Sequence, residues 1–503
     1  MSRFVTARRT IAALAALAVL GVLCVLLGLG RGSAPETVRA SPVDTLGAVP
    51  AALQRRMPEL MRHYEVPGAT VALVRDGRVT WVGAYGVADR AAGRRMTADA
   101  VFRAESISKP VTAWGVMRLV EAGRIELDAP VQRYLTDWTL PASSYDLNEI
   151  TVRRLLSNSA GLSRGTIGEE YAPGTPRPSL RDYLTREVHI VRRPGTAFAY
   201  SNVGFNLLQL LVESVTGRDF AAYMAEAVLR PLGMTRAHFG PVDAQPAAVP
   251  TGYELDGTPV PPYEYPAQAS GGLRAPAGDL ARFVAATVAV DDSARIGGLS
   301  ADRVRALHVP QVPVDGLFGV VADAYSLGHF VETLPGGRRA VWHGGQGHGW
   351  MAHVHAVPAA DAGIVILTNS ERSWPLFARV LDEWTRGSGL GRVGMHWIST
   401  ASTGLLALVA LLGGTTLWMG VRLVAGLRAG RRRWAPLSRV AWARRLVQAG
   451  VGLGVLGGLA WSAAQPYLFV TSIAPSMAGW AGWALLLWAT LLVGAALCPR
   501  TGR

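Results

Sequence analysis

The sequence predicts an α+β domain, an antiparallel sheet flanked by helices, followed by a bundle of three transmembrane helices. Three observations predict it. Strand-like stretches gather at the two ends of a polar segment, with helical periodicity between them. Every acidic residue falls between Glu36 and Glu383. Beyond Arg386 the composition turns apolar in three long stretches that carry no internal charge.

Charge is distributed to match. The 503 residues include 50 basic and 36 acidic ones, a net of +14. Between Glu36 and Glu383, however, 34 basic residues face all 36 acids, a net of −2. The positive excess belongs to the ends, where it is a topology signal rather than a footprint for phosphates, so no nucleic acid is expected as a partner. Cys24 lies in one apolar run and Cys498 ends another, which leaves the polar domain without a disulfide framework or a cysteine-based metal site.

Taken in order, Arg3, Arg8 and Arg9 precede an apolar run from Thr10 to Gly30 that is long enough to span a bilayer. Residues 1–33 are a signal anchor or a cleaved signal peptide, cut near Ala34 or Ala40, and either one exports the polar domain behind it. Residues 34–46 form a linker, and 47–390 form the extracytoplasmic domain. The domain opens near Val49 with an amphipathic helix. Ala69–Val74 and Val79–Val87 then alternate around Asp76-Gly77, a favoured two-residue hairpin turn. Helical periodicity runs from Ser106 through Val120 to Gly123, returns over Asn206–Thr216 with Gly217 behind it, and again at about 279–290. Ala160-Gly161 and Tyr171–Pro178 are loops, and Pro- and Gly-rich connections fill 240–278. Strands at about 340–345, 350–357 and 362–368 and a helix from Trp374 to Arg386 close the domain.

The apolar segments 397–421, 446–465 and 476–498 are the three transmembrane helices. Arg422, Arg428, Arg431, Arg432, Arg433, Arg439, Arg444 and Arg445 crowd the loop 422–445 between the first two. The positive-inside rule makes that loop cytoplasmic, so the protein is a multi-pass protein of the cell (inner) membrane with its polar domain outside. Trp397, Trp418, Trp461 and Trp480 near the segment ends fit an aromatic belt. Gly450, Gly454 and Gly458 line one face at four-residue spacing, which allows close helix packing within one chain or between two.

The chemistry centres on Phe102-Arg103-Ala104-Glu105-Ser106-Ile107-Ser108-Lys109-Pro110. Lys109 is the only lysine in the chain, while every other basic residue is arginine. A guanidinium stays protonated, whereas a buried amine can lose its proton and take one from a nucleophile three residues away on the same helix face. Tyr200-Ser201-Asn202 is the first candidate partner: a phenol near an amine can serve as base, and an Asn can hold a substrate carbonyl. A loop-capping Tyr and Asn would look the same. Trp342-His343-Gly344-Gly345-Gln346-Gly347 is the second, a strand whose side chains vanish so that another backbone can come close. A Gly-rich bulge at a hairpin end is the plain alternative. His343, His348, His353 and His355 crowd one stretch, but with no acidic residue in the cluster no metal is expected, and no other cofactor is implied.

Together these three pieces resemble the serine β-lactamase/penicillin-binding-protein superfamily, nearest its class C, esterase-like and D-peptidase-like members. Matching surroundings include Leu127-Asp128-Ala129-Pro130-Val131, Leu155-Leu156-Ser157-Asn158-Ser159-Ala160-Gly161-Leu162, Pro194-Gly195 and Ser270-Gly271-Gly272-Leu273, across about residues 47–386. The resemblance implies a β-lactamase/transpeptidase-like fold and a set of roles. Ser106 is the acylated nucleophile, Lys109 its proton partner, and Tyr200 the base that also activates the deacylating water. The backbone N–H groups of Ser106 and Gln346 form the oxyanion hole, with Gly344 and Gly345 beside it. Asn202 orients the substrate amide. His343 stands where classical members have lysine and offers a hydrogen bond rather than a fixed charge; Asn158 stands where many have histidine. An exported domain followed by three membrane helices is similar to the prodrug-activating peptidases of nonribosomal peptide pathways, although Arg103 occupies the place where those carry an acidic residue. The resemblance implies a membrane-anchored serine hydrolase acting through an acyl-enzyme on an amide or ester. Its substrate is then a small molecule or peptide, with lipidated ones among the candidates. The contrasting expectation is a penicillin-binding-like receptor or an inactive membrane scaffold.

Overall fold

The computed structural model describes residues 48–165, 169–240, 248–288, 295–464 and 469–501. The apolar run Thr10–Gly30 and the linker 34–46 lie outside the described residues. The chain divides into two compact units, one of residues 42–397 and one that contains 398–503.

The first unit begins with α1 (Ala48–Tyr64), whose buried Val49, Leu53, Met57, Leu60 and Met61 recur at helical spacing. β1 (Gly68–Arg75) and β2 (Arg78–Asp89) form the hairpin. Asp76 and Gly77 both have positive φ, 49° and 65°, and Arg75 pairs with Arg78 across them. That two-residue turn carries the twist of the strands it joins. After β3 (Arg94–Arg95) the chain leaves the sheet through β4 (Phe102–Arg103), α2 (Ser108–Glu121), α3 (Asn202–Thr216), β5 (His238–Phe239), β6 (Leu273–Ala275) and α4 (Ala277–Val288). It returns as β7 (Val312–Pro313), β8 (Ala324–Tyr325), β9 (Phe330–Thr333), β10 (Arg339–Gln346), β11 (Met351–Val357) and β12 (Ala362–Thr368), then ends in α5 (Trp374–Ser388).

Among the described residues nine strands form one antiparallel sheet in the order β3-β2-β1-β12-β11-β10-β9-β8-β7, while β4, β6 and β5 make a small second sheet. The first and last long strands close on each other, with Val71 opposite Ile366 and Leu73 opposite Ile364. Every residue of β11 and β12 is buried because both faces are covered. On one face His353 and His355 lie against Phe377 and Trp384 of α5, ring centroids 6.1 and 5.6 Å apart. α1 joins that layer through an Arg56–Glu383 ion pair of 3.2 Å. On the other face Val365 and Leu367 enter the larger core with Val284 and Phe283 of α4, where Trp114 of α2 meets Phe283 edge to face at 5.7 Å.

The predicted sheet flanked by helices is therefore present, with differences in detail. The helix expected from Ser106 starts at Ser108, and the one expected from Asn206 starts at Asn202. The strands β7 to β9 and the small second sheet, with two to four residues each, are too short to show periodicity.

In the second unit α6 (His396–Arg428), α7 (Trp442–Ala463) and α8 (Pro475–Leu497) are long and apolar enough to cross a membrane. Arg422 and Arg428 ride on α6, and Arg444 and Arg445 on α7, so the arginine-rich connection is shorter than the predicted 422–445. Within the chain, the predicted glycine stripe is not the face that packs on α8. A side chain on Gly450 or Gly454 would meet nothing within 4 Å, whereas one on Gly452 would lie 2.7 Å from Val493 and 2.9 Å from the Ala489 carbonyl of α8.

Ile366 sits in the middle of β12, fully buried opposite His353. Ile366→Val should cost about 0.5–1.5 kcal/mol and Ile366→Ala about 2–5 kcal/mol, because the second opens a larger cavity. Denaturation of the full chain in detergent should show a graded fall in midpoint at constant slope; equal losses would place the effect elsewhere than in lost burial.

Candidate active site

From Val101 to Met117, Ser106 is the one residue that is not fully buried. The backbone arranges this. Glu105, just before it, has φ +50°, the left-handed region that costs a side chain strain, and it opens a single 3-10 turn, Glu105–Ile107, in front of α2. Ser108, not Ser106, starts the helix; its hydroxyl donates to the Glu105 carbonyl (2.6 Å) and accepts the N–H of Leu273 from β6 (2.9 Å). The buried Glu105 carboxylate holds the reversal in place. It takes Arg103 Nε at 2.9 Å, the Tyr265 hydroxyl at 2.9 Å and the Tyr263 hydroxyl at 3.3 Å. The Arg103 guanidinium in turn stacks 3.9 Å from the centroid of Tyr263.

Two glycines of the second candidate motif exist for this turn. A Cβ on Gly345 would lie 2.4 Å from the Ala104 carbonyl, and one on Gly347 would lie 2.2 Å from the Glu105 carboxyl carbon. The first lets β10 run directly against the backbone ahead of Ser106, and the second, just past β10, leaves room for the Glu105 carboxylate.

Lys109 is fully buried. Its Nζ lies 3.1 Å from Ser106 Oγ, 2.8 Å from Asn202 Oδ1 and 2.9 Å from the Ser270 carbonyl. The last two can only accept, so they take two N–H bonds and leave the third direction aimed at the serine. Burial pushes the amine far below the usual lysine range; nearby Arg164 adds to this and Glu105 opposes it. The shift favours loss of the proton, and an amine without it would present a lone pair toward the Ser106 hydroxyl.

Tyr200 is next to both, its ring centroid 4.8 Å from Lys109 Nζ and its hydroxyl hydrogen-bonded with Ser106. Burial pushes its phenol up to about 12; a hydrogen bond with Ser106 and the charge of Arg164 both pull the other way. The ring lies nearly parallel to those of Phe318 and Phe330, centroids 5.9 and 6.4 Å away, in a cluster where the two phenylalanines are 5.4 Å from each other. Ser201 is the N-cap of α3, its Oγ accepting the N–H of Gly204 at 2.9 Å. This cap is the signal that would have moved the predicted helix start to Asn202. Asn158, in the left-handed region at φ +52°, accepts the Ser201 N–H (3.0 Å) on its side chain and the Ala199 N–H (2.7 Å) on its carbonyl. It is a brace for the Tyr200 segment.

His343 is buried and turned inward. Its Nδ1 donates to the Gly344 carbonyl (2.7 Å) and its Nε2 accepts from Tyr325 Oη (3.2 Å), while burial and Lys109 push it far below the usual histidine range. The hydrogen bond expected of it is thus made inside the protein. The Gln346 side chain accepts Trp374 Nε1–H at 2.9 Å. His348 sits at the rim between Glu170 (3.0 Å) and Glu254 (3.1 Å), and those carboxylates raise its pKa against the pull of burial. His353 and His355 are 3.3 Å apart in the layer under α5, and Glu332 of β9 comes to 3.4 Å of His355. That acid, distant in sequence, was missed. Among the described residues no group of His, Cys, Asp and Glu could hold a metal.

A serine exposed by a strained turn, with a buried amine at its hydroxyl and a phenol close by, thus sits beside an antiparallel sheet with helices on both faces. The Beta-lactamase family profile matches residues 53–385, and the chain belongs to that family. Similar proteins include esterase EstB of Burkholderia gladioli, 32% identical over 216 residues, which cover 40% of this chain and 54% of the esterase. The unguisins hydrolase ungD′ of Aspergillus campestris is 27% identical over 334 residues, 63% of this chain and 60% of that protein. The chain thus spans about half to three fifths of the length of these relatives. Among solved structures, SurE with D-Leu superposes with a TM-score of 0.55 at 28% identity, covering 69% of this chain and 77% of that one.

Gly345→Ala should displace the Ser106 turn, because the Ala104 carbonyl has nowhere else to go. Labelling of Ser106 by a fluorophosphonate should slow by about 10²-fold, the scale of an ångström-sized misplacement. Labelling at the wild-type rate would show that the turn does not depend on that close approach.

Proposed function

We propose that this protein is a membrane-anchored serine hydrolase that cleaves an amide or ester through an acyl-enzyme on Ser106, on the outer side of the membrane. The observation that carries this is the buried Lys109 amine, 3.1 Å from Ser106 Oγ with its other two bonds already made. In the free enzyme Lys109 takes the Ser106 proton as the hydroxyl attacks, and the Tyr200 phenol hands its proton to the leaving group. That order refines the expectation of Tyr200 as first base, since burial keeps the phenol protonated. The Ser106 and Gln346 N–H groups stabilise the oxyanion, and the Asn202 amide nitrogen receives a substrate carbonyl while its oxygen stays on Lys109.

An acylated D-amino-acid peptide or prodrug is the substrate class we favour. Support comes from the three apolar helices behind the domain and from the likeness to a protein solved with D-Leu. A lipidated precursor would be held at the membrane by its chain, each methylene in lipid contributing about 0.8 kcal/mol. Comparing metabolites of a producing strain with a Ser106→Ala strain tests this: accumulation of an acylated precursor is the expected result. A Ser106 adduct that forms with a fluorophosphonate while no ester or amide is ever turned over would favour the receptor instead.

Lys109→Arg should lower acylation about 10²–10⁴-fold, because a guanidinium does not give up its proton. In the wild type the acylation rate should fall as pH falls through the Lys109 pKa, and its plateau should begin below the ordinary lysine value of 10.5. A pH–rate profile that rises only above that value, or an arginine variant of full activity, would remove Lys109 from the mechanism.

A further inference from the structure

Arg164 stands at the mouth of the site, fixed there by its backbone. Its carbonyl accepts the N–H of Asn202 at 3.1 Å, and the carbonyl of Ser163 accepts Ser201 Oγ–H at 2.7 Å, so the loop is tied to the first turn of α3. The exposed side chain reaches over the catalytic phenol, its guanidinium carbon 5.9 Å from the Tyr200 centroid. The charge is felt by the reacting groups, since it lowers the proton affinity of both Lys109 and Tyr200.

Several arginines of the surrounding segments have acidic partners. Arg103 is paired with Glu105, Arg154 and Arg193 with Glu149, and Arg186 with Glu169 and Glu187. Among the described residues no carboxylate pairs with Arg164, and the rim acids Glu170 and Glu254 are engaged by His348. His343, the other group that could meet an anion, is neutral with both nitrogens occupied. An exposed arginine on an open surface would be merely solvated. This one extends from a tied backbone to within 5.9 Å of the Tyr200 ring, beside the serine.

We propose that Arg164 is a specificity-determining residue that receives a carboxylate carried by the substrate beside its scissile bond, making the substrate an anionic amide or ester. This rests on Ser106 being the nucleophile. It also couples binding to chemistry: a carboxylate at Arg164 cancels the field that disfavours a proton on Lys109, so the amine becomes a stronger base when the right substrate arrives.

Reversible boronic acids test this on the full chain in detergent without a known substrate, since their boron adds to the serine hydroxyl. Inhibition constants would be compared for phenylboronic acid and its 3- and 4-carboxy derivatives. At low salt at least one carboxylated compound should bind about threefold to tenfold tighter than the parent, the range for one charge-assisted contact at a half-open site. The advantage should shrink as salt is raised, vanish in Arg164→Gln, reverse in Arg164→Glu and survive in part in Arg164→Lys. No carboxylate advantage in the wild type, or one untouched by Arg164→Gln, overturns the proposal. Ser106→Ala separates the two layers. Binding of all the compounds should be lost there, and undiminished binding would bring down the hydrolase reading and the proposal with it.

Discussion

The structure depends on a single amine kept out of water. A charged ammonium in the Lys109 position would cost several kcal/mol to desolvate, and that cost pushes its pKa far below the usual lysine range. That outcome needs three parts of the chain to converge. Ser106 comes from the turn ahead of α2, Asn202 from the first residue of α3, and the Ser270 carbonyl from the segment that leads into β6. Each supplies one contact, and none is local to the others except the serine. The small sheet β4-β6-β5 has its purpose here: it ties the stretch before Ser106 to the stretch after Ser270.

The second constraint is steric. Ser106 must stay accessible within a stretch that is otherwise buried, and the chain achieves this by reversing its backbone at Glu105, ahead of the helix. Glycine would make the same reversal without strain. Glutamate does it with a carboxylate clamped by Arg103, Tyr263 and Tyr265, which converts a weak point of the backbone into a braced one. Gly345 and Gly347 then complete the fit from β10.

Legibility in the sequence followed the range of each interaction. The Asp76-Gly77 hairpin and strands such as Ala362–Thr368 were readable because turn chemistry and continuous burial act over a few residues. Ser106 and Lys109 stood out because lysine occurs once. The Ser201 cap was also local, and it was overlooked in favour of apolar periodicity. The Glu105 clamp could not be read, since Tyr263 and Tyr265 are about 160 positions away and nothing in spacing encodes the meeting. The same holds for Glu332 beside His355. Which glycine of α7 touches α8 was decided by helix rotation, and four-residue spacing alone picked Gly450 and Gly454 over Gly452.

The pairing of β1 with β12 has a consequence for how the protein is made. The hairpin emerges early and the strand that covers its inner edge arrives nearly three hundred residues later. In between, β1 offers a row of unpaired amides and carbonyls, a surface prone to wrong partners. Sheet closure therefore waits until almost the whole domain has been synthesised, and the apolar stretches of the second unit come directly behind β12 and α5. Seating of β10 against the Ser106 turn belongs to the same late stage, so the surroundings of Lys109 are complete only when nearly all of the domain has been made.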